Sequence, residues 1–147
     1  LTASGHFQAA TLHLRQDLQL SQRVVEIDPQ DLASRRNLAW TYHLLGDVHR
    51  RMGRLNDATS YFQKQLNTLR RIVEANPRDL GAQLKLTAAL RESAELQAQR
   101  HKRSRALALL DEALKITDAS AGTREASRLD IDRRLTLELA QNYKTGK

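Results

Sequence analysis

"RIVEANPRDL", residues 71–80, repeats "RVVEIDPQDL", residues 23–32, with six of ten positions identical at a shift of 48. An internal repeat decides the fold before local propensity does, because stacked repeats determine how a chain buries its apolar faces. In one direction the same shift places Gly53 on Gly5, Ala58 on Ala10, Phe62 on Leu14 and Leu66 on Leu18. In the other it places Leu38 on Leu86, Gly46 on Ala94, Ala58 on Ala106 and Phe62 on Leu110. The register holds over most of the chain.

Within one unit the apolar spacing is helical. Leu38, Tyr42, Leu45, His49 and Met52 follow at steps of three and four, and Ala58, Tyr61, Phe62, Leu66, Leu69, Ile72 and Val73 mark one face of a second helix. Each unit is therefore expected to be a helical hairpin. Asp31 and Asp79, each two residues after a proline, are placed to cap first helices. Gly53 suits the turn between helices, where a positive φ costs glycine little. Gly46 and Ala58 are small enough to let the two helices approach closely, with Leu45 and Phe62 filling the space beside them.

The spacing predicts a helix over about Phe7–Ile27, then pairs at about Asp31–Met52 with Leu55–Ala75 and Asp79–Gln99 with Ser104–Thr117. A last helix is expected over residues 124–143, after a loop "DASAGT" at 118–123. That helix opens a further unit or caps the array. The fold class is all-α, about six helices in one domain over residues 1–147. The first residue is Leu1 rather than Met, so the chain is expected to be a piece of a longer protein.

Composition agrees. With 40% hydrophobic residues, 28% charged and two prolines in 147 residues, the chain is too apolar for a disordered tail and too poor in turn residues for a β-sandwich. The absence of cysteine removes disulfides, thiolate metal sites and cysteine nucleophiles. The apolar stretches are too short to span a membrane, no secretory signal heads the chain, and a cytoplasmic location is expected. The net charge of +7 favours an acidic partner, nucleic acid or an anionic surface.

Tyr42, Leu45, Gly46, Gly53, Leu55, Ala58, Phe62 and Pro77 resemble the tetratricopeptide repeat pattern: an aromatic before Leu-Gly, a turn glycine, a small residue, an aromatic and a closing proline. Three departures stand out. His49 replaces the usual aromatic after Leu-Gly, Gln65 replaces a small residue before Leu66, and the unit is 48 residues rather than 34. A long-helix variant is implied, of the kind found beside regulatory or signalling domains in large bacterial proteins. The resemblance implies an α-solenoid of antiparallel hairpins forming a superhelix, with a groove lined by first helices that binds a peptide or partner domain. By register with Leu45-Gly46, the groove positions are Trp40, His43, Asp47 and Arg50, followed by Ala88, Arg91, Glu95 and Ala98. Trp40 stands two residues before Tyr42, so the two rings point about 200° apart around a helix and only one easily faces the hairpin core. An exposed Trp40 would anchor a partner; a buried one would pack on the preceding helix.

No motif for chemistry competes with this reading. The sequence has no glycine-rich phosphate loop, HExxH or GxSxG, and His43 and His49 lie on different faces of one helix. Glu92 and Glu95 share a face without a further catalytic group, and Asp111 with Lys115 has the spacing of a surface ion pair. The expected function is thus a non-catalytic protein-interaction or scaffolding module, without cofactor or metal, whose partner is a protein or peptide, of acidic character, or a second copy of the chain. The alternative is a basic helical module that binds nucleic acid or another polyanion through Arg100, Lys102, Arg103 and Arg105 of "RHKRSR", residues 100–105. Aromatics make up 4% of the chain and none interleaves with that run, so base stacking has little support.

Overall fold

The computed structural model describes residues 3–120 and 126–146, and among them it contains six helices and no strand. In chain order they are α1 (Ala3–Ile27), α2 (Leu32–Arg51), α3 (Leu55–Ala75), α4 (Leu80–Gln99), α5 (Arg103–Ala119) and α6 (Ala126–Thr145). The all-α class and the helix order are those expected. The bounds of α2, α3 and α4 fall where the prolines, capping aspartates and Gly53 place them. Two ends differ: α1 begins before Phe7, and α5 continues through Asp118 and Ala119 to a C-cap at Ser120. Neither stretch contains a proline, so nothing forces the chain out of the helix there. The rest of the expected loop, and the expected start of α6 at Arg124, lie outside the described residues.

Capping fixes the starts of α2 and α4. Asp31 Oδ1 accepts the Ala33 N–H at 2.9 Å, and Asp79 Oδ1 accepts the Ala82 N–H at 3.0 Å. Each side chain satisfies a backbone donor that the first turn leaves without a helical acceptor. The Ser34 hydroxyl also donates to Asp31, and these two hydrogen bonds, Ser34 first and Ala33 second, hold the Asp31 carboxyl below its usual range.

The ends of α2 and α4 share one device. After α2 the Gly53 N–H donates to the Arg50 carbonyl at 3.0 Å and the Arg54 N–H to the His49 carbonyl at 2.9 Å. After α4 the His101 N–H donates to the Ala98 carbonyl at 2.9 Å and the Lys102 N–H to the Gln97 carbonyl at 2.8 Å. This paired closure, a Schellman motif, needs a left-handed residue just past the cap. Gly53 supplies it at φ 72° and His101 at φ 58°.

The chain divides into two compact units, Leu1–Ile72 and Val73–Lys147, with the boundary inside α3. In the first, α1 packs on α2, and α2 meets α3 where Gly46 faces Phe62 and His49 faces Tyr61. Gly46 lies against the ring of Phe62, close enough that a Cβ at position 46 would clash with the Cδ1–Cε1 edge of that ring. The expected close approach of the two helices is thus present, with Leu45, Ala58, Phe62 and Leu66 buried around it. In the second, α4 packs on α5 and α6, and α5 on α6. Its core cluster of Ala94, Ala106, Leu110 and Ala140 is closed by Leu107, Leu139 and Tyr143.

Candidate protein-binding face

The first unit presents its candidate residues along α2. Tyr42 and Trp40 part as their separation in a helix requires. Tyr42 is buried, with its hydroxyl accepting a hydrogen bond from Gln22 Nε2 of α1 at 3.1 Å, while Trp40 is 60% exposed. The exposed indole has a stacking partner. It stacks on His43 with centroids 5.1 Å apart at 26°, and His43 stacks on the buried Phe62 at 6.2 Å and 23°. Three rings thus run from surface to core, and the packing of Phe62 against Gly46 fixes the lowest of them. Such stacking holds an aromatic side chain in one orientation.

One turn further on, Asp47 forks to two arginines. Arg50 Nη2 reaches Oδ1 at 2.8 Å, and Arg51 Nε reaches Oδ2 at 2.7 Å. Partial burial pushes the Asp47 carboxyl up, but the hydrogen bonds from Arg50 and Arg51 win and hold it below its usual range. The four positions chosen by register on α2 therefore form a continuous strip: an aromatic step at Trp40 and His43, then a carboxylate shared between two guanidinium groups.

In the second unit Arg91 and Glu95 meet α6. Arg91 pairs with Asp132, and its Nη1 also donates to the Thr136 hydroxyl at 3.3 Å and to the Asp132 carbonyl at 3.5 Å. Both partners are largely covered, Arg91 at 17% and Asp132 at 9% exposure. Glu95 stays exposed; with burial as the larger cause, its charge helps push the Tyr143 hydroxyl of α6 above its usual range. Together with Leu135, Glu138, Leu139 and Asn142, these two residues line an open depression of about 300 Å³. The sequence reading gave no sign of the Arg91–Asp132 pair. The available signal is Asp132 itself, an acid in the apolar stripe formed by Leu129, Thr136 and Ala140.

The basic run forms the turn between α4 and α5. Arg100 is the C-cap of α4, Lys102 stands at the N-cap of α5 without a side-chain cap, and Arg103 lies beside Gly146. Arg100 and Arg105 crowd Lys102 and lower its pKa. Arg105 is exposed. Among the described residues there is no group of three or more His, Asp or Glu placed to hold a metal ion, and no helix long and apolar enough to cross a membrane.

Residues 32–79 match the family model described as Tetratricopeptide repeat. That span covers α2, its turn and α3, the hairpin that carries Trp40, His43, Asp47 and Arg50. Comparison with proteins of curated function finds no match, and neither does comparison with solved structures.

Proposed function

We propose that the chain, whose residues 32–79 match the tetratricopeptide repeat model, is a non-catalytic binding module, the protein–protein interaction role that such repeats generally serve. In this reading a peptide or partner domain docks on α2, with Trp40 as the anchor. The observation that carries it is the exposed Trp40 ring, stacked on His43, which in turn stacks on the buried Phe62. An apolar ring that is preordered before binding loses little entropy when a partner covers it, which is the property of a binding hot spot.

The charge around the anchor favours an acidic partner. Arg50 and Arg51 both stand on the strip below Trp40, where each pairs with Asp47, within a chain of net charge +7. His43, Asp47 and Arg50 are the orienting contacts. Arg91 and Glu95 belong to this reading as a second, separate contact region on α4. The reading includes a cytoplasmic setting and leaves room for a second copy of the chain as the partner.

Affinity purification with the full 147-residue chain tests it, comparing wild type, Trp40→Ala and the control Ser60→Ala on the exposed face of α3, each with and without nuclease. A protein retained by wild type and Ser60→Ala but lost from Trp40→Ala is the expected result. Equal retention by all three removes the reading, and a partner released by nuclease alone moves function to the basic turn.

A further inference from the structure

His49 occupies the place where the tetratricopeptide pattern carries an aromatic ring after Leu-Gly, and it does so deep in the α2–α3 hairpin. It is 2% exposed and faces the ring of Tyr61 with centroids 5.2 Å apart. Neither ring nitrogen has a hydrogen-bond partner among the described residues. Nδ1 lies 3.5 Å from Asp57 Oδ2, a carboxylate that is itself more than half exposed.

A neutral imidazole fills this place as the family's aromatic would. An imidazolium does not fit it, because a buried cation without hydrogen bonds carries a large desolvation cost. The groups facing His49 are Asp57 and Tyr61 of α3, Arg54 of the turn and Arg15 of α1. Burial is the largest influence and lowers the pKa of His49; Arg54 and Arg15 act in the same direction, and only Asp57 opposes them.

We propose that His49 makes the α2–α3 hairpin acid-sensitive: the neutral ring holds the two helices together, and protonation drives them apart at the turn. His49 lies one turn of α2 from Gly46, so loosening begins next to the contact with Phe62 that supports the ring stack. Release of a partner from Trp40 on acidification would follow; that consequence rests on the binding reading above, whereas the opening of the hairpin does not.

The direction of the pH dependence follows from proton linkage. With its folded-state pKa below the ordinary value of 6.5, His49 binds more protons in the unfolded chain than in the folded one. Stability is then complete above about pH 6.5 and falls as pH drops from there through the lower folded-state value. Every unit of separation between the two values makes the folding constant fall about tenfold across that window.

Two measurements on the full chain decide the matter. The first is an NMR titration of the His49 Cε1–H, which needs no variant. The second is denaturant unfolding at about pH 8 and about pH 5, either side of the histidine range, for wild type, His49→Phe and Asp57→Asn. The proposal expects the His49 resonance to titrate below 6.5, wild type to lose stability in acid, His49→Phe to lose less, and Asp57→Asn to lose more. It is overturned by a His49 that titrates at 6.5 or above, by wild type and His49→Phe losing stability in parallel, or by Asp57→Asn being no more acid-sensitive than wild type. If His49→Phe does not fold, the titration alone gives the answer. None of these readouts involves a partner, so their failure is distinct from failure of the Trp40 reading.

Discussion

His101 and Gly53 hold the same position in the turns that follow α4 and α2, one residue past the C-cap, both in the left-handed region at φ 58° and 72°. The backbone closure is the same in both turns, but only glycine adopts that φ without a Cβ meeting the neighbouring carbonyl. The histidine side chain is exposed and has no packing role to offset the strain.

His101→Gly is therefore expected to stabilise the second unit by about 1 kcal/mol, less a few tenths for the added freedom of the unfolded chain. The opposite change, Gly53→Ala, is expected to destabilise the first unit by a similar amount, although nothing lies within 4 Å of the added Cβ. Denaturant midpoints of both variants check this, and equal midpoints for wild type and His101→Gly would show that the turn tolerates histidine freely.

Gly46→Ala places a methyl group in collision with the Cδ1–Cε1 edge of the Phe62 ring. The hairpin either separates or tilts Phe62, which overpacks the core at a cost of about 1–3 kcal/mol. Because Phe62 carries His43 and Trp40, the variant should also change the fluorescence of Trp40, the sole tryptophan. Thermal melts and emission spectra read the two effects separately.

Removing Arg91 leaves Asp132 buried and without its counter-ion. Arg91→Ala is expected to cost about 3 kcal/mol and to loosen α6 from α4. The paired change Arg91→Met with Asp132→Leu takes away both charges and should recover most of that loss. Unfolding of the two variants forms the comparison, and a double variant no more stable than Arg91→Ala would refute the buried-charge explanation.

Acid should act on the chain in two steps. The histidine step lies below about pH 6.5 as derived for His49. A second step comes from Asp31 and Asp47, whose folded-state pKa values both lie below 3.8, so the stability they contribute is present above that value and lost as pH falls through the lower folded-state range. Asp47→Asn should flatten the second step and leave the first unchanged. Circular dichroism followed from neutral to strongly acidic pH resolves both.

The sequence makes the helices of the hairpins legible because their ends carry unambiguous punctuation. Pro29 with Asp31, Gly53, and Pro77 with Asp79 each impose a local backbone state that only those residue types favour, and the observed bounds follow them. The start of α5 is less sharp: Lys102 caps nothing with its side chain, so that turn is set by the geometry of the α4 C-terminus instead. The exposure of Trp40 was legible as one of two options, since the helical angle forbids Trp40 and Tyr42 from sharing a face without saying which is buried. Register alone placed Arg91 in a groove; its partner Asp132 lies in a different helix, and a pairing between distant helices leaves no local trace. His49 was visible as a departure from the family pattern, but its lack of hydrogen bonds depends on how α3 packs over it.

In the proposed binding mode, α2 holds a protein partner through Trp40. Site-specific photo-crosslinking tests it most directly, with a photoreactive residue in place of Trp40, and separately in place of Ser60 and Arg105, followed by nuclease treatment. The expected result is a protein adduct from position 40, resistant to nuclease and absent from position 60. An adduct from position 105 alone, or one that nuclease removes, would contradict the claim and assign binding to the basic turn.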